Sequence, residues 1–160
     1  MYMSPAFLLI NNGRMKRMTA RQLAVQLLFS MEINRLTPDD AFTLFFEEEH
    51  YQSLKEEDLV FKDFPDDVQM AYIREIVEKT YRNLEEIDAV IERYSKDWKK
   101  ERLSKTTLAI LRCAICEILY TDIPDSVSAD EAVEQAKRYD SPKAAAFING
   151  VLGSFIRGER

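Results

Sequence analysis

The sequence predicts an all-α fold of six to seven helices. Glycine and proline are scarce, with 4 and 5 in 160 residues, where average usage gives about 11 and 8. Apolar residues recur at three- and four-residue spacing in segment after segment, and no segment shows the alternation of a strand. A chain of this length forms one domain with its own core and needs neither disulfides nor metal.

The first predicted helix covers residues 19–34. Its apolar face consists of Ala20, Leu23, Ala24, Leu27, Leu28 and Met31. Residues 1–14 fit no helical period, and Met15 is an alternative start. We therefore expect a poorly ordered N-terminal extension over residues 1–14 and a folded domain over residues 15–160. Thr37 and Pro38 then predict the start of a second helix, with Thr37 as its N-cap.

The middle of the chain contains two predicted helices after a connector. Residues 54–64 show no clear period and are expected to join two subdomains. A helix restarts at Asp66 and continues to Arg82. Asn83 and Glu86 have the spacing of a capping box and predict the start of the next helix.

The C-terminal third is predicted to contain three helices. The segment from Ser104 or Lys105 to residue 120 is the most apolar and is expected to be central. Ser128 and Glu131 have the spacing of a capping box for a helix ending at residue 139. Ser141, followed by proline, predicts the start of the last helix.

No pattern in the sequence indicates an enzyme, and no cofactor is expected. Cys113 and Cys116 match C-x-x-C, but they lie within an apolar helix without a second ligand pair, so we interpret them as buried thiols. His50 is the only histidine and lacks a nucleophile beside it. Glycine-rich phosphate loops and zinc-binding H-E-x-x-H motifs are absent. Neither a signal peptide nor a membrane span is indicated, so a cytoplasmic location is expected.

The net charge of −6 conceals two basic segments on an acidic chain. Residues 1–38 hold five cations and one acid, and residues 93–112 hold seven cations and two acids. Between them, residues 39–92 hold five cations and seventeen acids. Lys16, Arg17 and Arg21 precede the outward residues Gln26 and Phe29, a combination that suits single-stranded RNA. Random charge scatter at a helix start is the alternative.

Four segments resemble the NusB family of bacterial transcription antitermination factors, in the order and spacing of that family. Residues 15–29 resemble a basic opening followed by A-R-x-x-A-x-Q-x-L-[YF], and residues 108–119 resemble I-L-R-x-A-x-Y-E-L. Residues 123–137 resemble I-P-x-x-V-x-I-x-E-A-V-E-x-A-K, and residues 147–152 resemble F-V-N-G-V-L.

The resemblance implies a fold of two small three-helix subdomains. It also implies binding to the boxA element of ribosomal RNA leader transcripts together with NusE, a small-subunit ribosomal protein, and assembly with other Nus factors on RNA polymerase. Implied RNA-contacting positions are Lys16, Arg17, Arg21, Phe29, Thr107 and Phe147. Thr107 stands where many members carry an acidic residue.

The sequence also departs from the family pattern. Met18 and Thr19 replace expected arginines, which predicts weaker RNA binding by this protein alone. Lys105 and Lys143 are cations that could compensate, a hypothesis from charge alone. A helical interaction module or homodimer without RNA is the alternative function. An RNA-binding domain of a methyltransferase is a third possibility.

Overall fold

The computed structural model describes residues 5–96 and 99–158, and within them it confirms the all-α fold. Those residues form eight α-helices and three 3-10 helices, with no strand. The α-helices are α1 (Pro5–Asn34), α2 (Pro38–Phe45), α3 (Glu48–Ser53), α4 (Asp67–Arg82), α5 (Leu84–Tyr94), α6 (Lys105–Tyr120), α7 (Asp125–Tyr139) and α8 (Pro142–Ile156). The 3-10 helices are Leu54–Glu56, Leu59–Phe61 and Lys100–Arg102. None of the described helices is long and apolar enough to cross a membrane.

Helix α1 begins at Pro5, well before the predicted start at residue 19. The structure thus has helix over most of the predicted N-terminal extension, while residues 1–4 lie outside the described part. Periodicity could not find these first turns, because the continuous apolar run of residues 6–10 has no 3.6-residue repeat. The helix ends at Asn34 as predicted, where Arg35 takes a left-handed φ of 54° and the Leu36 amide donates to the Met31 carbonyl.

The additional helix, α3, explains why eight helices are observed in this part of the chain. Glu47 caps it by accepting hydrogen bonds from the Glu49 and His50 amides. A six-residue helix is too short to display an apolar period, so the sequence pattern missed it. The predicted connector over residues 54–64 is also folded onto the core, since the Tyr51 hydroxyl donates to the Asp63 carbonyl at 3.0 Å.

Three predicted helix starts are confirmed by side-chain caps. Thr37 accepts a hydrogen bond from the Asp40 amide, and Ser141 does so from the Ala144 amide. Ser104 accepts one from the amide of Thr107. In each case a short polar side chain satisfies an amide that has no partner within the helix.

Two predicted capping boxes are wrong. Asn83 does stand at the N-cap of α5, but its side chain donates to the Lys79 carbonyl of α4 at 2.8 Å and caps no amide of α5. Glu86 instead accepts a hydrogen bond from the Tyr120 hydroxyl. Ser128 is buried inside α7, which starts three residues earlier at Asp125. A capping box needs a first residue that lies outside the helix and has a side chain that accepts from the helix. Ser128 lies inside α7, and the side chain of Asn83 is bonded to α4 instead.

Helix α6 is the centre of the fold, as its apolar sequence predicted. It packs against α1, α4, α5, α7 and α8, and every residue from 107 to 118 is buried. Helices α7 and α8 form an antiparallel pair joined by two residues. Because α6 contacts helices from both halves of the chain, the division into two three-helix subdomains stays a prediction.

A buried ion pair joins α1 to α6. The guanidinium of Arg21 donates to both carboxylate oxygens of Glu117, each at 2.8 Å, and Glu117 is fully buried. Burial alone would lower the pKa of Arg21, but the hydrogen bond and charge of Glu117 more than offset it and raise the pKa. A second carboxylate, from Glu131, lies 3.9 Å from the guanidinium.

A second cluster of charged side chains joins α6 to α5 and to the C-terminal end of α1. Arg112 donates to both oxygens of Asp88 and to Glu32, all at 2.8 Å. The other oxygen of Glu32 accepts from Lys105 at 3.2 Å. Hydrogen bonding to Arg112 lowers the pKa of Glu32, and Lys105 adds to this shift.

The Arg21–Glu117 pair yields a stability prediction. Arg21→Met leaves the Glu117 carboxylate buried without its main partner, so we expect a loss of about 3–5 kcal/mol in the free energy of unfolding. The double variant Arg21→Met/Glu117→Leu removes both charges and should recover most of that loss. Urea denaturation measures both, with Arg17→Ala on the exposed side of α1 as the control. A loss below about 1 kcal/mol for Arg21→Met would contradict a structural role.

Glu32 yields a pH prediction. Because its pKa is lowered in the folded protein, its ionised form adds stability above the unfolded value of about 4.3. That contribution disappears as the pH falls through the lower folded pKa. Glu32→Gln should therefore destabilise the protein near neutral pH, and the difference from the parent should shrink below about pH 4. Urea denaturation across this range tests it, and a difference independent of pH would refute it.

Candidate nucleic-acid interface

The basic residues Lys16 and Arg17 lie within α1, where the helix packs on the start of α4. Lys16 is 3.1 Å from the carboxylate of Asp66, and its carbonyl accepts from the side chain of Gln69. Arg17 is exposed. Both residues are therefore at the surface, but the Lys16 charge is partly neutralised by Asp66.

Arg21 does not belong to this exposed opening. It is only 5% exposed, and Glu117 occupies its guanidinium as described above. The interpretation of Arg21 as a phosphate contact is therefore corrected: the residue holds α1 on α6. Its place in a basic run suggested a surface role. Its partner, Glu117, lies on α6, 96 positions later in the chain.

Helices α1 and α6 run antiparallel, so the proposed cations do not form one patch. Lys105 lies beside Glu32 at one end of the helix pair, whereas Arg21 lies beside Glu117 towards the other. From Lys16 to Glu32 the α1 axis rises about 24 Å. The structure thus separates the Lys16–Arg17 end from the Lys105 end.

The first turns of α6 and α8 converge at the Lys105 end. Asp140, directly before the α8 cap, accepts hydrogen bonds from Ser104 at 3.0 Å and from Thr107 at 2.7 Å. Thr107 is 4% exposed, so it joins the two helices rather than contacting a ligand directly. This corrects the expectation for Thr107, and Asp140 is a component that the sequence analysis missed.

The converging helix ends carry cations where acidic residues are usual. Lys105 is the first residue of α6 and Lys143 the second of α8, both exposed, and neither first turn contains an acid. Helix N-termini have a partial positive charge that favours anions. We call this surface, formed by Lys105, Lys143 and the two helix ends, the lysine end.

The remaining candidates lie on two helix faces. Phe147 is half-buried and stands one turn after Lys143 on α8, packed against the core. Gln26 and Phe29 are half-buried on α1, and Phe29 packs against the core.

The cysteines and histidine have no place in this surface. Cys113 and Cys116 are buried free thiols, and burial raises the pKa of Cys116 to about 11, so neither is a reactive thiolate at neutral pH. His50 is exposed and contacts the edge of Phe45.

Comparison with known proteins identifies the family to which the chain is related. The sequence profile of the NusB family matches residues 18–157. Transcription antitermination protein NusB of Thermoanaerobacter sp. (strain X514) is 39% identical over 145 residues, covering 91% of this chain and 93% of that protein.

Two solved structures have a similar fold. T. maritima NusB has a TM-score of 0.68 and 31% identity, with 89% of this chain and 92% of that chain covered. Antitermination factors NusB and NusE in complex with dsRNA give a match with a TM-score of 0.70 and 24% identity, covering 87% of this chain and 94% of that chain. On the family profile and these identities, the chain belongs to the NusB family.

Proposed function

We propose that this protein is a non-enzymatic transcription antitermination factor that binds the boxA element of ribosomal RNA leader transcripts. Membership of the NusB family supports the role in transcription antitermination. The observation that carries RNA binding is the lysine end, where Lys105 and Lys143 adjoin two helix N-termini and the half-exposed ring of Phe147. Cations neutralise phosphates and aromatic rings stack on unpaired bases, so this combination suits single-stranded RNA.

We assign the main phosphate contacts to the lysine end, where two exposed lysines adjoin helix N-termini. Lys16, Arg17, Lys105 and Lys143 are all exposed, whereas Arg21 is buried against Glu117. Lys16 contacts Asp66 and Lys105 contacts Glu32, but such exposed ion pairs stabilise the protein by only about 0–1 kcal/mol. A phosphate can therefore replace Glu32 as the partner of Lys105 at small cost.

A protein partner is proposed for the acidic part of the chain. Residues 39–92 carry seventeen acids against five cations, and such a surface favours a basic protein. NusE, the basic ribosomal protein implied by the family, is the proposed partner. Other Nus factors and RNA polymerase would complete the assembly, and the cytoplasm is its expected location.

Replacing the lysine end tests the phosphate contacts. Lys105→Ala/Lys143→Ala should weaken binding to a boxA RNA and reduce the slope of log affinity against log salt by about 0.7 for each lost phosphate contact. The matched control is Lys55→Ala/Lys62→Ala, which removes the same charge from exposed positions in the acidic segment. Filter binding over a range of salt concentrations measures the slope.

The same titration, repeated with NusE present, tests the partner. Affinity for boxA RNA should rise when NusE is added, and NusE should co-purify with the protein on immobilised RNA. Equal slopes for the lysine-end and control variants would contradict the assigned phosphate contacts. An affinity unaffected by NusE would contradict the assigned partner.

Substitution of Phe147 tests base stacking. Phe147→Leu keeps apolar packing but removes the aromatic face, so we expect a loss of about 1–3 kcal/mol in the free energy of RNA binding. Phe147→Tyr retains the ring and should bind RNA like the parent. Fluorescence anisotropy measures the affinities, and thermal melting checks that each variant is folded. Equal weakening by leucine and tyrosine would argue against stacking.

A further inference from the structure

Three phenylalanine rings lie together at the surface where α2 ends. The ring centroid of Phe46 is 5.2 Å from that of Phe45 and 5.8 Å from that of Phe64. Phe45 and Phe46 are half-buried, and Phe64 is 55% exposed. The buried ring of Tyr51 supports them, with its centroid 5.2 Å from that of Phe64. We call these three phenylalanine rings the aromatic patch.

Exposed apolar side chains are concentrated in the same stretch of the chain. Seven large apolar side chains are exposed in the described part of the protein, and four of them lie within residues 44–68: Leu44, Leu59, Phe64 and Val68. Single exposed apolar residues are normal on a protein surface, whereas exposed apolar groups that lie together mark an interaction site. The aromatic patch is therefore a candidate docking surface.

The aromatic patch is flanked by acidic residues. Residues 44–68 hold nine acids and only two cations. RNA is a poor occupant of this surface, because its phosphates would meet carboxylates. A segment that covers the patch has to combine apolar and basic side chains. We call the exposed acids next to the three rings in the sequence the acidic rim: Glu47, Glu48, Glu49, Asp63, Asp66 and Asp67.

The first 17 residues of the chain have this complementary chemistry. They contain Arg14, Lys16 and Arg17 and no acid. Residues 6–10 are five consecutive apolar residues. We call residues 1–17 the N-terminal segment, and from Pro5 onwards it belongs to α1.

The N-terminal segment does not cover the aromatic patch of its own chain. Helix α1 runs without interruption from Pro5, and Lys16 lies beside Asp66 at the start of α4. From Lys16 back to Pro5 the helix axis extends about 17 Å. With α1 in this position Phe64 is still 55% exposed. The segment and the patch of one chain are thus both available to another molecule.

We propose that the aromatic patch and its acidic rim bind the N-terminal segment of a second copy of this chain, and that the exchange is reciprocal. Apolar side chains of the segment would cover the rings, while Arg14 and Arg17 would face the rim. Each copy then contributes one segment and one patch, which together reach the 20–30 residues per partner that a stable interface uses. The proposal does not depend on RNA binding, since the lysine end lies at the other end of α1.

Reversing charges on the rim tests the docking surface. Glu49→Lys/Asp63→Lys places cations opposite the basic segment, so we expect the dissociation constant of the dimer to rise about tenfold or more. The matched control is Glu85→Lys/Asp130→Lys, the same charge change at exposed positions of α5 and α7, and it should dimerise like the parent. Sedimentation velocity over a range of concentrations measures the constants, and thermal melting checks that each variant is folded.

A charge exchange between two variants tests the identity of the occupant. Arg14→Glu/Arg17→Glu makes the N-terminal segment acidic, so this variant should also dimerise weakly by itself. Mixed with the rim variant, it offers an acidic rim to a basic segment and an acidic segment to a basic rim. The mixture should therefore form heterodimers with an affinity near that of the parent dimer.

Three results would overturn the proposal. The first is a parent that stays monomeric at high micromolar concentration, and the second is a rim variant that dimerises as tightly as the control. The third is a mixture that forms no heterodimer. A monomeric parent whose rim variant loses NusE would instead assign the patch to that basic protein.

RNA binding separates this proposal from the proposed function. The rim variant should bind boxA RNA with the affinity of the control variant, because both carry the same added charge and an intact lysine end. A parent that dimerises as expected but binds no boxA RNA would contradict the proposed function and leave the reciprocal dimer standing.

Discussion

The burial of charge along α6 is the constraint on which the rest of the structure depends. This helix is surrounded by five others, yet it carries Arg112 and Glu117, which are almost fully buried. Burying an unpaired charge in such an environment lowers the stability of the folded protein by several kcal/mol, so both residues need partners from neighbouring helices. Arg21 of α1 and Asp88 of α5 supply them, and these pairs fix how α1 and α5 sit on the central helix.

This interior requirement determines which cations are left for the surface. Arg21 and Arg112 both belong to segments that resemble the family, and both are buried in ion pairs with residues of other helices. Glu32 connects the interior to the surface, because one carboxylate oxygen accepts from Arg112 and the other from Lys105. A ligand that draws Lys105 away from Glu32 leaves the Arg112 contact in place. The surface can therefore change partners without disturbing the core.

Local patterns predicted the fold well because most of its determinants are local. The apolar rows of α1 and α6 identified their buried faces, and Thr37, Ser104 and Ser141 marked helix starts by chemistry that acts within one turn. The site was harder to predict. Whether an arginine is free depends on a residue 96 positions away, as for Arg21 and Glu117. Similarly, the role of Thr107 is explained only by Asp140, which lies 33 positions later in the link between α7 and α8.

The buried ion pairs also limit which of the residues shared with the family can contact RNA. A sequence motif shared with a family contains both residues that stabilise the fold and residues that contact a ligand. Here Arg21 and Glu117 belong to the first kind, because they form a buried ion pair. The residues that distinguish the surface of this chain are instead those that depart from the pattern. Met18 and Thr19 stand in α1 where the family pattern has arginines, while Lys143 adds charge at the lysine end. On the proposed function, the cations available to RNA therefore lie on α6 and α8 at the lysine end as well as at Lys16 and Arg17 of α1.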